Sequence, residues 1–158
     1  MLHVELYAIS DGPPPVVFLK YEGRVLPIVI NSPEATAIKW GIIGHKIGRP
    51  MTHDLICNLL AGLGGDLQSV SIYKLEDDTF FAHLNIEQRS PEGDVIQVLR
   101  VDSRPSDSMA IAVRIGCPIY VAEEVFSVAG QDAAALGIGE SDPLEDSDDD
   151  DDVEDEFE

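Results

Sequence analysis

The chain has 158 residues, 44% of them hydrophobic and only 6% aromatic, with a formal charge of -20. That length supplies one ordinary core and excludes two comfortable domains, so a single domain with an appendage is expected. The charge is uneven: residues 1 to 139 hold all 10 Lys and Arg against 17 acids, whereas residues 140 to 158 hold 13 acids and no base.

The predicted division is therefore a domain over 1-139 and an acidic disordered tail over 140-158, which serves solubility or, alternatively, mimics a polyanion or occludes a site. No apolar run approaches the ~20 residues of a membrane helix. Met1 leads straight into the alternating Leu2-His3-Val4-Glu5-Leu6 and not into a basic, then apolar signal. A soluble cytoplasmic protein without membrane association is expected. Cys57 and Cys117 sit in apolar surroundings and lack the paired spacing of a zinc or redox motif, so both read as reduced core cysteines.

In chain order, Leu2 to Ile9 alternates as a strand, Asp11-Gly12-Pro13-Pro14-Pro15 turns, and Val16-Val17-Phe18-Leu19 is a second strand. Glu22-Gly23 gives hairpin spacing to Arg24 to Ile30, where Pro27 argues for an edge or a bulge. Ser32-Pro33-Glu34 starts a helix, with Ser32 as N-cap and a stripe of Ala35, Ile38, Ile42 and Ile43 ending at Gly44. Thr52 caps a second helix carrying Leu55, Ile56, Leu59 and Leu60 until Gly62 to Gly65 stop it. Leu67 to Leu75, Thr79 to Gln88 and Val95 to Val101 are the next strands. Pro105 to Gly116 is a third helix, Pro118 to Ala122 a short strand, Glu123 to Ala129 a short helix and Gln131 to Leu136 an indistinct turn. Met109, Val113 and Ile115 are expected to be buried.

The order strand, strand, strand, helix, helix occurs twice. A shift of 72 residues lays Pro33 on Pro105, Ile43 on Ile115 and Gly44 on Gly116, which suggests an internal duplication.

Chemistry concentrates at two helix starts. Asp102, Arg104, Ser106 and Asp107 crowd the positive end of the third helix, beside backbone N–H groups without intrahelical partners. Such an end suits an anion, or a metal held by its carboxylates. Arg49-Pro50-Met51-Thr52-His53-Asp54 repeats the pattern of Arg-Pro followed by an acid. The bland alternative is that each corner caps its helix and each guanidinium pairs with an acid. If the two corners converge, they form one composite site. His3, His45 and His83 stand alone and are assigned no role.

Arg49-Pro50-x-Thr52-His53-Asp54-Leu55, followed by Asp102-x-Arg104-Pro105-Ser106-Asp107-Ser108-x-Ala110-Ile111-Ala112, resembles the bifunctional nuclease domain family of bacteria and plants. Leu26 to Ile30 with Glu34-Ala35, Thr79-Phe80-Phe81-Ala82, and Pro118 to Val121 with Glu123 also fit that family's pattern, so the resemblance covers roughly residues 1 to 130. It implies an α+β fold with a barrel-like, mostly antiparallel sheet from two β-β-β-α-α repeats. It also implies cleavage of DNA and RNA, although many members are known only as conserved proteins of unknown function.

Phosphodiester hydrolysis needs neutralised phosphate charge and an activated water, which arginines with carboxylate-held Mg2+ or Mn2+ supply. His53, Asp54, Asp102 and Asp107 are the catalytic candidates, with Asp102 and Asp107 as metal ligands. Arg49, Thr52, Arg104 and Ser106 are the substrate-binding candidates. Against nucleic acid as partner stands the charge, since the domain itself is acidic and has no basic run. The reading is a metal-assisted nuclease-like hydrolase. The alternative is a non-catalytic anion- or ligand-binding regulatory module, and a homo-oligomer, such as a dimer, suits both.

Overall fold

The computed structural model describes residues 1–138, and the acidic stretch 140–158 expected as a tail lies outside the described residues. Three strands come first, β1 (Leu2–Ser10), β2 (Val16–Tyr21) and β3 (Arg24–Val29), followed by helices α1 (Ser32–Ile42) and α2 (Thr52–Gly62). Then come β4 (Gly65–Glu76), β5 (Thr79–Arg89), β6 (Val95–Ser103), α3 (Pro105–Ile115), β7 (Ile119–Val121), α4 (Glu123–Ala129), β8 (Gln131–Asp132) and a 3-10 turn at Ala134–Leu136. The fold is mixed α+β. The eight strands form one sheet in the order β6-β5-β4-β7-β1-β2-β3-β8, open at β6 and β8 among the described residues. All neighbours are antiparallel except β4 and β7.

Local chemistry explains most element ends. The β2–β3 and β4–β5 hairpins turn at Glu22-Gly23 and Asp77-Asp78, where Glu22, Asp77 and Asp78 adopt positive φ as the tight turns of twisted hairpins require. Pro27 pairs with Phe18 on one side, while β8 covers β3 only at Arg24 and Val25, so its missing N–H faces an open edge. Gly116 closes α3 at φ 82°, a left-handed conformation that glycine adopts without the strain an L side chain would bring. Two expected caps move by one residue: Asn31 and Met51 stand at the N-caps, placing Ser32 and Thr52 inside α1 and α2.

Helix α3 is the centre of the helical layer, packing on α1, α2, β4 and β5. Its buried surface accordingly runs almost all round, from Pro105 and Ser106 through Ser108 to Ala112. Met109 is fully buried as expected, but Val113 is half-buried and Ile115 is 40% exposed. The core joins Val17, Leu19, Leu26, Val70, Ile72 and Ala82 from the strands to Ile38, Met109, Ile111 and Phe126 from the helices. Cys57 and Cys117 are free and pack against this core, and burial pushes the Cys117 thiol up to about 11. No helix among the described residues is long and apolar enough to cross a membrane.

Candidate functional site

The first turns of α1, α2 and α3 meet on one side of the helical layer, around a cavity of about 370 Å3. Glu34 comes from α1, Thr52 and His53 from α2, and Arg104 and Asp107 from the start of α3, with Trp40 and Arg114 completing the wall. Helix α2 buries only His53, with Ile56, Cys57 and Leu60 half-buried. Polar bonds therefore do much of the work of fixing its position.

His53 Nε2 lies 2.9 Å from Asp107 Oδ1. Arg104 Nε donates to Asp107 Oδ2 at 2.8 Å, and Arg104 Nη2 donates to Glu34 Oε1 at 3.0 Å. The result is one hydrogen-bonded chain, His53–Asp107–Arg104–Glu34, across three helix starts. Burial pushes the Asp107 carboxyl up, but the bonds from His53 and Arg104 outweigh it and hold Asp107 below the usual carboxylate range. An ionised carboxylate only accepts, so the tautomer that fits this contact has its proton on Nε2 and its lone pair on Nδ1. Nδ1 has no hydrogen-bond partner among the described residues. Asp107, and secondarily Glu34, hold the Arg104 guanidinium still more firmly protonated. The second oxygen of Glu34, Oε2, is buried without a hydrogen-bond partner among the described residues.

A second tie lies behind this chain. Arg114 Nε donates to Asp54 Oδ1 at 2.7 Å, and its Nη1 donates to the carbonyls of Ala37 at 2.8 Å and Ala110 at 2.7 Å. Asp54 also accepts the Met51 backbone N–H at 2.9 Å through Oδ2. The Arg114 hydrogen bond, helped by that of Met51, holds the Asp54 carboxyl below its ordinary range. Arg114 thus connects all three helices.

Of the expected site residues, the structure brings Thr52, His53, Arg104 and Asp107 to the cavity and places Asp54 behind it on Arg114. It does not bring the others. Arg49 is exposed and makes no hydrogen bond or ion pair among the described residues. Asp102 is exposed on β6, paired in the ladder with His83. Ser106 is buried and faces a separate recess between β3 and the start of β5. The divalent ion expected on Asp102 and Asp107 finds no matching donor set. Asp102 is not in the cavity wall, both Asp107 oxygens are occupied, and no three His, Cys, Asp or Glu side chains are grouped to hold a metal among the described residues.

Glu34, Trp40 and Arg114 join the site although their local sequence gave little sign of it. Glu34 reads as an ordinary first-turn acid and Arg114 as an ordinary last-turn base, each favourable to the helix dipole on its own. Only their partners, 70 and 60 residues away, give them a further role.

The bifunctional nuclease domain matches residues 16–134, a span that contains every residue of this cavity. The chain belongs to the bifunctional nuclease domain family. It is 43% identical over 118 residues to an uncharacterized protein of Mycobacterium tuberculosis, covering 73% of this chain and 66% of that protein. It is 29% identical over 113 residues to bifunctional nuclease 1 of Arabidopsis thaliana, covering 70% of this chain and 34% of that protein. For bifunctional nuclease 2 of Oryza sativa subsp. japonica the figures are 28% over 115 residues, 71% of this chain and 34% of that protein. The matched stretch thus spans just under two thirds of the mycobacterial relative and about a third of the plant nucleases.

Proposed function

We propose that this bifunctional nuclease domain is a cytoplasmic hydrolase of DNA or RNA phosphodiesters, with His53 as general base. The observation that carries the reading is the His53–Asp107–Arg104–Glu34 chain on the wall of one cavity, with Arg114 on the same wall. Asp107 orients the ring through Nε2 and stabilises the imidazolium that forms. Nδ1 takes a proton from a water, whose oxygen attacks phosphorus. The P–O bond to the leaving oxygen then breaks, and that oxygen leaves with a proton from the imidazolium or solvent. Arg104 and Arg114 neutralise the charge that builds on the non-bridging oxygens. The described residues do not build a metal centre, so no step is assigned to one, and Mg2+ or Mn2+ enters as a condition of the assay.

The test is cleavage of labelled single- and double-stranded DNA and RNA in EDTA, Mg2+ or Mn2+, beside His53→Gln and Asp107→Asn. A general base contributes about 10²–10⁴ in rate, so His53→Gln should lose at least about 100-fold. Cleavage by His53→Gln at the unaltered rate sinks the mechanism. One observation favours the alternative of a non-catalytic anion-binding module: both guanidiniums are already matched by carboxylates, as in a structural tie. Oligonucleotide binding without cleavage under every metal condition would select that reading.

A further inference from the structure

A second cavity, of about 380 Å3, adjoins the first. Trp40 and Arg114 line both, so the two share a wall. His45, Lys46 and Asn58 line only the second. Its volume is in the range of small-ligand pockets. Its chemistry is specific: the Trp40 and His45 ring centroids are 5.2 Å apart with planes at 44°, a tilted pair and not a parallel sandwich. Lys46 is exposed and makes no ion pair among the described residues. Asn58 likewise makes no side-chain hydrogen bond there, and Arg114 keeps Nη2 unbonded beside its engaged Nε and Nη1.

A half-buried aromatic ring on the cavity wall, a free ammonium and a free amide are the parts that hold a nucleotide: a surface for the base, a cation for its phosphate and a donor–acceptor pair for its edge. We propose that this cavity is a subsite for the nucleobase next to the scissile phosphate, stacked on Trp40, and that the substrate is therefore an unpaired strand. The proposal rests on the hydrolase reading, which places the scissile phosphate in the neighbouring cavity. A base inside a duplex offers no open face to Trp40, whereas every unpaired base of DNA or RNA does. Lys46 then serves the flanking phosphate, and Arg114 stands between the two positions.

Trp40 is the chain's single tryptophan, so its emission reports on the wall that the two cavities share. The full chain and its His53→Gln variant, which leaves the probe intact, are titrated with oligothymidylate and oligouridylate of about ten nucleotides. A blunt duplex of the same length and inorganic phosphate are the other arms. Both single strands should quench Trp40 saturably, and neither the duplex nor phosphate should. With a labelled single strand, Trp40→Leu should raise Kd about 5- to 150-fold and Trp40→Phe, which keeps a ring, less. Lys46→Ala should lower the salt slope by about one. A strand that is bound or cleaved without quenching overturns the subsite while leaving the hydrolase standing, as does equal quenching by duplex or phosphate. Quenching without cleavage overturns the hydrolase and leaves a single-strand binding site. If Trp40→Leu fails to fold, unaltered chain and Trp40→Phe still decide.

Discussion

Replacing Arg114 by Met removes the guanidinium that ties the three helices while keeping most of the packing of the side-chain stem. The side chain is only 11% exposed, so its bonds are not readily replaced by water. Both carbonyl acceptors, Ala37 and Ala110, lie inside helices and keep their ladder bonds, so each lost bond costs about 0.5–1.5 kcal/mol and not the full penalty of a stranded group. The Asp54 partner is 38% exposed and can be rehydrated, which limits that ion pair to about 0.5–1 kcal/mol. Together these give a loss of about 1.5–4 kcal/mol. Urea unfolding at neutral pH, followed by tryptophan emission, measures it, and a double-mutant cycle with Asp54→Ala should show coupling above ~0.5 kcal/mol. A loss below ~1 kcal/mol, or strictly additive effects, would mean that Arg114 is not the tie the geometry makes it.

Gly41→Ala should destabilise by about 1 kcal/mol: its Cβ would stand 2.5 Å from Val113 Cγ2 and 2.8 Å from Arg114 Nη1, and overpacking of 1–3 kcal/mol outweighs a helix-propensity gain of ~1. A raised melting temperature would contradict this. Met109→Ala should cost ~2–5 kcal/mol, since the side chain is fully buried, and a loss under ~1 would place it outside the core. The folded carboxyls of Asp54 and Asp107 sit below their unfolded values, so the unfolded chain takes up these protons first as pH falls. Their contribution is complete above the ordinary carboxylate range near 4 and is lost as pH drops through the depressed folded values. Asp54→Asn should therefore be relatively less harmful at acid pH, and superposable acid limbs of melting temperature against pH would show that the carboxyl is not depressed.

Helix and strand limits were largely readable because they are local. Pro105 and Gly116 bracket α3, and the hairpin turns at Glu22-Gly23 and Asp77-Asp78 are set by neighbouring residues. The caps moved by one residue because the carbonyls of Asn31 and Met51 already accept the first helical bonds, from the N–H groups of Ala35 and Leu55. Half of the candidate site was also visible, since a His and several charges at helix starts are uncommon in a core. Their convergence is a matter of tertiary packing, and the structure realises it for His53 and Asp107 but not for Arg49 or Asp102.

The sequence by itself determined the mixed α+β class, the succession of elements, the two polar helix starts and the family resemblance, because periodicity, capping and turn chemistry act within a few residues. Tertiary structure alone decided that β7 enters between β4 and β1, and that Arg114 and Trp40 form the wall between two cavities. The bonds that build the site join residues 54, 60 and 70 positions apart. No local rule selects one such partner over another of the same charge; the packing of α1 and α2 on α3 does.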